Sequence, residues 1–460
     1  MAEYWLTELA QERLRLERKL NELNINGVGC GTMLAHSLTL MLDKRTYLKA
    51  NKHKIKLALL LSWVKSKIRY RESRSIDLKD KIIWFTTDLN EKQFGFIRPF
   101  EEVLPKNSFL ILHRNKRFSG QGIYLPDRTS IATVKLNIEV NQVWIGVKEV
   151  IHSVLNKELL ELLNIDLLRH QFFQQSRRII QYQSLFDKNL PRVLFTEYDR
   201  QPATAMAIEV LKKMNVPTFT FVHGSVYPLD SYVPIIADYC FCWGDSQRDI
   251  FKKFGELGSK LIVGGNPKFS NKIYSDTNSV KDKLGIKHSQ KVLVLATNHI
   301  TEKLELAESF VDAIEKSDSS WIGLIKIHPI ERMDEYIYLT EKNKRIKIVK
   351  DEISLDETIA VSDICAIHNS NFGFDVLLKN KPLLIFKPIT QDCGIGQSFV
   401  DKAGVPLIKS SNELVYYLNK YGNEPIVNSF QRDRYIKNNC AFAGNNSATK
   451  VLEIITNMGL

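Results

Sequence analysis

Three apolar runs in this chain each stop at a histidine followed by a turn-forming residue. Phe219-Thr-Phe-Val222 runs into His223-Gly224-Ser225, Trp321-Ile-Gly-Leu-Ile-Lys-Ile327 into His328-Pro329, and Ile364-Cys-Ala-Ile367 into His368-Asn369-Ser370. Short runs that are apolar on both faces read as strands of a sheet covered on both sides, which is the habit of parallel sheets. Parallel strands need crossover connections, usually helices. Ligands of open α/β sheets bind outside the carboxyl ends of the strands. The chain is therefore expected to be organised around polar strand ends.

The rest of the sequence fits that frame. From Lys81, strand-like runs alternate with helical ones: Ile82–Thr86, Ser108–His113, Arg192–Glu197, Thr218–Val222, Tyr239–Trp243 and Lys260–Val263, with helices such as Ala203–Met214 and Ser246–Phe254 between. A second series holds Lys291–Ala296, Trp321–Ile327, Ile346–Val349, Ile364–Ile367 and Pro382–Phe386. This spacing predicts α/β architecture with two doubly wound halves. Residues 1–75 read as a helical, basic region, 76–270 as an N-terminal Rossmann-like domain and 271–430 as a C-terminal one. Residues 431–460 read as a C-terminal helix packing back on the N-terminal domain. The polar stretch Lys268–Ser289 reads as a linker and Asn141–Gln175 as helical. Gly27-Val-Gly-Cys-Gly31 reads as a helix–helix turn, because the Lys-Ser/Thr of a phosphate loop is missing.

Charge is concentrated. Lys44–Arg74 contains eleven Lys or Arg and one acid, Glu72, so it carries +10 of the formal net charge of +12. Beside the apolar run Leu57–Val64, this suits a basic amphipathic helix on an anionic membrane surface. A solvated basic helix packed through Leu57–Leu61 explains it equally well. No nucleic-acid-binding motif accompanies the charge. No secretory leader or spanning segment is expected. The six cysteines lack metal-site spacing, which points to a reduced, cytoplasmic setting, at most peripheral on the inner membrane face.

Taken in order, the motifs His223-Gly224, Ala237-Asp-Tyr239 with Trp243-Gly244, Gly264-Gly-Asn-Pro267, Lys326-Ile-His-Pro329 and Asn369-Ser-Asn-Phe372 with Asp375 resemble a bacterial group of surface-polysaccharide transferases. That group holds capsule polysialyltransferases, capsule Kdo transferases and teichoic-acid glycerophosphotransferases. The resemblance spans about residues 190–390. It implies a GT-B fold, with two Rossmann-like domains facing a central cleft. It further implies a glycosyltransferase moving a sugar from a nucleotide-activated donor, CMP- or UDP-linked, to a surface polysaccharide or lipid-linked glycan. No other cofactor and no metal are implied, and no Asp-x-Asp is present. A nucleotide-sugar 2-epimerase of the same fold is the alternative enzyme. A non-catalytic scaffold of polysaccharide assembly is the alternative from another class.

The residues suit such chemistry. Inverting transfer needs a general base near the attacking hydroxyl. The candidates are His223, Glu197 and Asp199, with Glu197 either the base itself or the group that orients His223. By resemblance His328, after the strand-stopping geometry of His-Pro329, contacts donor phosphate, and Lys326 on the same strand face adds charge. Thr297 and Asn298 end the first C-terminal strand where a donor is often contacted. His368, Asn369 and Ser370 open a helix whose amino end suits an anion, with Asp375 inside it. The resemblance implies that Gly265 and Asn266 form a hinge turn flanking the donor, and a plain tight turn explains them equally well.

Overall fold

The computed structural model describes residues 8–43, 76–87, 89, 91–118, 120–125, 134–187, 189–224, 231–270, 272–273, 275–421 and 426–460. The basic segment Lys44–Arg74, Ser225 and the linker residues 271 and 274 lie outside them. The chain divides into two compact units, Glu3–Lys268 with Asn445–Leu460, and Phe269–Gly444.

The first unit opens with helices Glu8–Leu20 and Cys30–Leu38. They are joined by a small antiparallel hairpin, β1 (Asn24–Ile25) and β2 (Val28–Gly29). Asn26 and Gly27 both have positive φ, 49° and 71°, which is the Asn-Gly signature of a two-residue hairpin turn. The sequence reading of a plain helix–helix turn missed this pairing. A buried ion cluster ties the region down: Arg13 and Arg200 both bind the Glu17 carboxylate, and Arg200 also donates to the Pro234 carbonyl at 3.1 Å.

A seven-stranded parallel sheet follows. Its strands are β3 (Ile82–Thr86), β4 (Phe109–His113), β5 (Ile123–Tyr124), β6 (Val193–Thr196), β7 (Thr218–Phe221), β8 (Tyr239–Cys242) and β9 (Leu261–Val263). Their order is β5-β4-β3-β6-β7-β8-β9. The chain winds outward from β3 in one direction, then returns and winds outward from β6 in the other. The switch point therefore lies between β3 and β6. Aromatic side chains pack one face: Trp84 stacks on Phe221 at 5.2 Å and Phe221 on Phe241 at 5.1 Å between ring centres. The stretch read as helical lies in three helices, Val134–Val154, Lys157–Leu162 and Ile165–Phe186. Asn156 and Asn164 break it by capping the second and third, each accepting an amide hydrogen bond three residues on.

The second unit holds six parallel strands: β10 (Lys291–Ala296), β11 (Trp321–Lys326), β12 (Ile346–Val349), β13 (Ile364–Ile367), β14 (Leu383–Phe386) and β15 (Leu407–Ile408). The order β12-β11-β10-β13-β14-β15 puts this switch point between β10 and β13. Strand residues such as Leu293, Leu295, Trp321 and Ile325 pack with Phe310 and Ile314 of helix Lys303–Lys316 in one apolar core. The stretch read as a linker contains a helix, Thr277–Lys283, capped by Asp276. Thr277 Oγ1 donates to the Ala360 carbonyl at 2.9 Å, which fastens it to the second unit.

The helix Gly444–Asn457 leaves the second unit's sequence and completes the first. Ala448, Val451 and Ile455 join the apolar cluster of Trp84, Phe219 and Phe241. Ser447 Oγ donates to the Gly264 carbonyl at 2.7 Å. Among the described residues no helix is long and apolar enough to cross a membrane.

Candidate functional site

In the second unit the carboxyl ends of β11, β10 and β13 lie side by side and are tied to one another. Thr297, just past β10, donates its hydroxyl to Glu331 and accepts the His328 amide at 2.9 Å. The same Glu331 oxygen lies 3.3 Å from the His328 amide. Glu331 is only 2 % exposed, so its carboxylate is an internal brace for the His-Pro turn. This brace was not among the sequence candidates. An acid three residues after the histidine was its only signal.

His328 itself is half-buried, while Pro329 and Ile330 are exposed. The Ile330 amide donates to His328 Nδ1 at 3.3 Å. That bond assigns Nδ1 as the acceptor and Nε2 as the proton-bearing nitrogen of the neutral ring. On the other side of the switch point, Asn298 donates its side-chain amide to the Asn369 carbonyl, joining the ends of β10 and β13. Asn369 Oδ1 accepts the Ile395 amide at 3.2 Å. Gly394 makes that approach possible, because its φ is +49° and a Cβ there would stand 2.7 Å from the Asn369 amide nitrogen. Ser370 Oγ accepts the Phe372 amide at 3.2 Å and opens the seven-residue helix Phe372–Leu378, which carries half-buried Asp375 in its first turn.

Two sequence candidates of this unit are placed otherwise than expected. Lys326 points its ammonium at the carbonyls of Lys350 and Ile353. Burial lowers its pKa, with Asp351 and Glu352 opposing. It closes a loop rather than adding charge to the strand ends. His368 is 1 % exposed, and its Nε2 lies 3.2 Å from the Gln391 carbonyl. Burial lowers its pKa, so the ring is a neutral internal donor that supports the turn.

In the first unit Glu197 sits at the switch point. Its carboxylate reaches back from the end of β6 to β3, accepting from Thr86 Oγ1 at 2.6 Å and Trp84 Nε1 at 3.0 Å. Burial raises its pKa, and these neutral donors oppose the rise. The expectation that Glu197 orients His223 does not describe these contacts. The His223 ring instead lies against Tyr198, 4.8 Å between centres in an edge-on arrangement, and Tyr232, whose hydroxyl is 3.4 Å from Nε2. Tyr198 in turn donates to the Ser231 carbonyl at 2.9 Å. These two tyrosines, which sequence reasoning passed over, frame the imidazole.

Asp199 is committed elsewhere. One oxygen accepts the amides of Ile236 and Ala237 at 2.7 and 3.0 Å, in a site 3 % exposed. It fixes the loop entering β8 and cannot at once serve as a free base. Gly265 (φ +79°) turns the chain after β9. Asn266 is fully buried, its Oδ1 accepting the Lys268 amide at 3.0 Å while its Nδ2 has no hydrogen-bond partner among the described residues. Among the described residues no group of three or more His, Cys, Asp and Glu is placed to hold a metal ion.

The fold is shared with solved epimerases. A UDP-N-acetylglucosamine 2-epimerase matches with a TM-score of 0.54 at 11% identity, covering 84% of this chain and 97% of its own. The UDP-GlcNAc 2-epimerase from Methanocaldococcus jannaschii matches at 0.53 and 15% identity, covering 82% and 99%. The Neisseria meningitidis enzyme, solved bound to UDP-GlcNAc, matches at 0.54 and 10% identity, covering 82% and 100%. At such identities the likeness is one of fold, and it establishes the GT-B class of two Rossmann-like α/β units. No curated protein matches by sequence. A family model, described as CDP-glycerol:poly(glycerophosphate) glycerophosphotransferase, matches residues 183–457. That span takes in β6–β15 and more than half of the chain, including the strand ends that carry Glu197, His223, Thr297, His328 and Asn369, so the protein belongs to this glycerophosphotransferase family of surface-polymer transferases.

Proposed function

We propose that the protein transfers a polyol-phosphate unit from a cytidine-diphosphate-activated donor to a growing surface polymer. The observation that supports this most is the family match across the whole six-stranded sheet, where Thr297, Asn298, His328, Asn369 and Ser370 are gathered at one switch point. In this reading the donor's phosphates lie at those strand ends, and His328 Nε2–H donates to a phosphate oxygen. Gly265, Asn266 and Asp375 take secondary, shaping roles. The acceptor hydroxyl attacks the β-phosphorus. A new P–O ester bond forms as the bond from that phosphorus to the bridging oxygen breaks, and CMP leaves with the electron pair. The hydroxyl proton must pass to a general base, and the residue proposed for that role is His223, half-buried in the first unit and framed by Tyr198 and Tyr232. Glu197, kept toward its protonated form by burial, fixes the switch point beside it.

The test is direct. The chain is incubated with CDP-glycerol and a short glycerophosphate acceptor, with CMP release and acceptor mass as readouts. CMP release with one added glycerophosphate supports the reading. Transfer of a sugar from CMP- or UDP-sugars, with CDP-glycerol inert, moves the donor to the sugar class. Epimerisation of UDP-GlcNAc without transfer replaces the reading by the reaction of the fold neighbours.

Attachment to anionic membrane through Lys44–Arg74 belongs to the same proposal and is supported by its charge alone. Flotation on phosphatidylglycerol vesicles that survives deletion of the segment counts against it.

A further inference from the structure

In the second unit one loop reaches across a neighbouring strand. It leaves β14 at Lys387, and β13 lies between β14 and β10 in the sheet. The loop nevertheless meets the segment that follows β10. Thr390 donates to Glu302 twice, from its amide to Oε2 at 2.9 Å and from Oγ1 to Oε1 at 2.7 Å. The Thr301 amide donates to Gln391 Oε1 at 3.1 Å. The same loop holds the end of β13: the Gln391 carbonyl lies 3.2 Å from His368 Nε2, and the Ile395 amide binds Asn369 Oδ1. It forms a strap across the switch point between β10 and β13.

The two ends of the strap are held differently. One end is packed. Cys393 is fully buried, Gly394 takes φ +49° and ψ −116°, and a Cβ on Gly396 would stand 2.3 Å from the His368 carbonyl oxygen. The other end, at exposed Thr390, is held by the Glu302 carboxylate. Glu302 is the N-cap of the fourteen-residue helix Lys303–Lys316, yet its side chain makes no cap bond. An acidic N-cap ordinarily accepts from its own first-turn amides. Here both oxygens serve a residue 88 positions on instead. The Thr390 bonds hold the Glu302 carboxyl below its ordinary value, so it is ionised at neutral pH and accepts from both groups.

We propose that Glu302 is a positioning residue of the donor site. By clasping Thr390 it holds the strap against the end of β13, and through the Gln391–His368 and Ile395–Asn369 contacts it sets the orientation of Asn369 and Ser370 toward the phosphates of a nucleoside-diphosphate donor. The identity of the donor rests on the transferase reading, whereas the clasp rests on the contacts themselves.

Calorimetric titration of the full chain with CDP-glycerol and, separately, with UDP-GlcNAc tests it, beside thermal melts and hydrogen exchange of residues 387–395. Glu302→Ala is expected to weaken the nucleotide that the wild type binds by about tenfold or more, with the binding stoichiometry unchanged. Exchange in the strap should quicken by about tenfold or more in the same variant. Glu302→Gln keeps one acceptor oxygen and Thr390→Val keeps the amide bond, so both should fall between. The double variant Glu302→Ala with Thr390→Val should bind as Glu302→Ala does, because both changes open one clasp. Should Glu302→Ala not fold, Thr390→Val reads the same clasp through its own loss of affinity. A lower melting temperature or stoichiometry with an unchanged Kd makes Glu302 merely structural and overturns the proposal. So do unchanged strap exchange, additive losses in the double variant, or a wild type that binds neither nucleotide. Binding of UDP-GlcNAc alone, weakened by Glu302→Ala, removes the transferase reading and leaves the clasp standing. Turnover of CDP-glycerol with an unchanged Kd in Glu302→Ala does the reverse.

Discussion

Arg200 and Glu17, 183 residues apart in sequence, form a two-pronged buried ion pair at 3.0 and 3.2 Å. Arg13 shares the same carboxylate. All three residues are at most 3 % exposed. The pair welds the first helix of the chain to the loop that follows β6, next to Asp199.

Removing the Glu17 charge takes the shared carboxylate away from the buried Arg13 and Arg200 guanidiniums. Glu17→Gln is therefore expected to destabilise the first unit by about 3–5 kcal/mol. Chemical denaturation of wild type and variant measures this. A change under about 1 kcal/mol would show that water reaches the cluster.

His223 is the proposed proton acceptor. His223→Ala should lower transfer by about 10²–10⁴, the usual worth of a general base, while nucleotide binding measured by calorimetry stays at the wild-type value. Full transfer activity in that variant removes His223 from the mechanism.

Glu331 and Thr297 act as one brace beneath His328. A double-mutant cycle with Thr297→Val and Glu331→Gln should give a coupling of about 0.5–3 kcal/mol in stability. Each single change should also weaken CDP-glycerol binding by about tenfold. Strictly additive stabilities would mean that the two side chains do not support each other.

Acid should destabilise the protein through buried histidines. Burial holds the His368 and His113 pKa values below the ordinary one of about 6.5. The unfolded chain therefore takes up protons first. Stability present above about pH 6.5 is lost as the pH falls toward the folded-state values. Glu197 and Asp199 have raised values and act with the opposite sign, their contribution fading as pH rises. His368→Gln keeps a donor for the Gln391 carbonyl and cannot titrate, so its denaturation midpoint should fall less between pH 7.5 and 5 than that of wild type. Parallel slopes for the two proteins would refute the assignment to His368.

Gly264 has no room for a side chain. A Cβ there would stand 2.6 Å from Phe241 and 3.1 Å from Val451. Gly264→Ala should cost about 1–3 kcal/mol by overpacking, visible as a lower melting temperature.

The strands were readable because both faces of each are apolar, as in Ile82–Thr86 and Trp321–Ile327, and the helices between them forced parallel pairing. The strand ends that carry Thr297, His328 and Asn369 followed from the same pattern. Where each long side chain would reach was not readable. Lys326 shares a strand face with His328, yet four methylenes let its ammonium turn to the carbonyls of Lys350 and Ile353. Asp199 follows a strand end like a site acid, but two amides 37 and 38 residues away claim it. Sequence neighbours say nothing of such partners. The Asn-Gly hairpin at Asn26-Gly27 and the Asn156 and Asn164 caps, by contrast, had local signals that the helical reading overrode.

The return of helix Gly444–Asn457 to the first unit has a consequence for how the molecule is made. Ala448, Val451 and Ile455 belong to the core around Phe219 and Phe241. The opening unit therefore leaves the ribosome with a gap in its core, and the gap stays until the intervening segment Phe269–Gly444 and the helix after it have been synthesised. The second unit, continuous from Phe269 to Gly444, has all its residues before that gap is filled. The portion of the chain born first is thus the last to be finished.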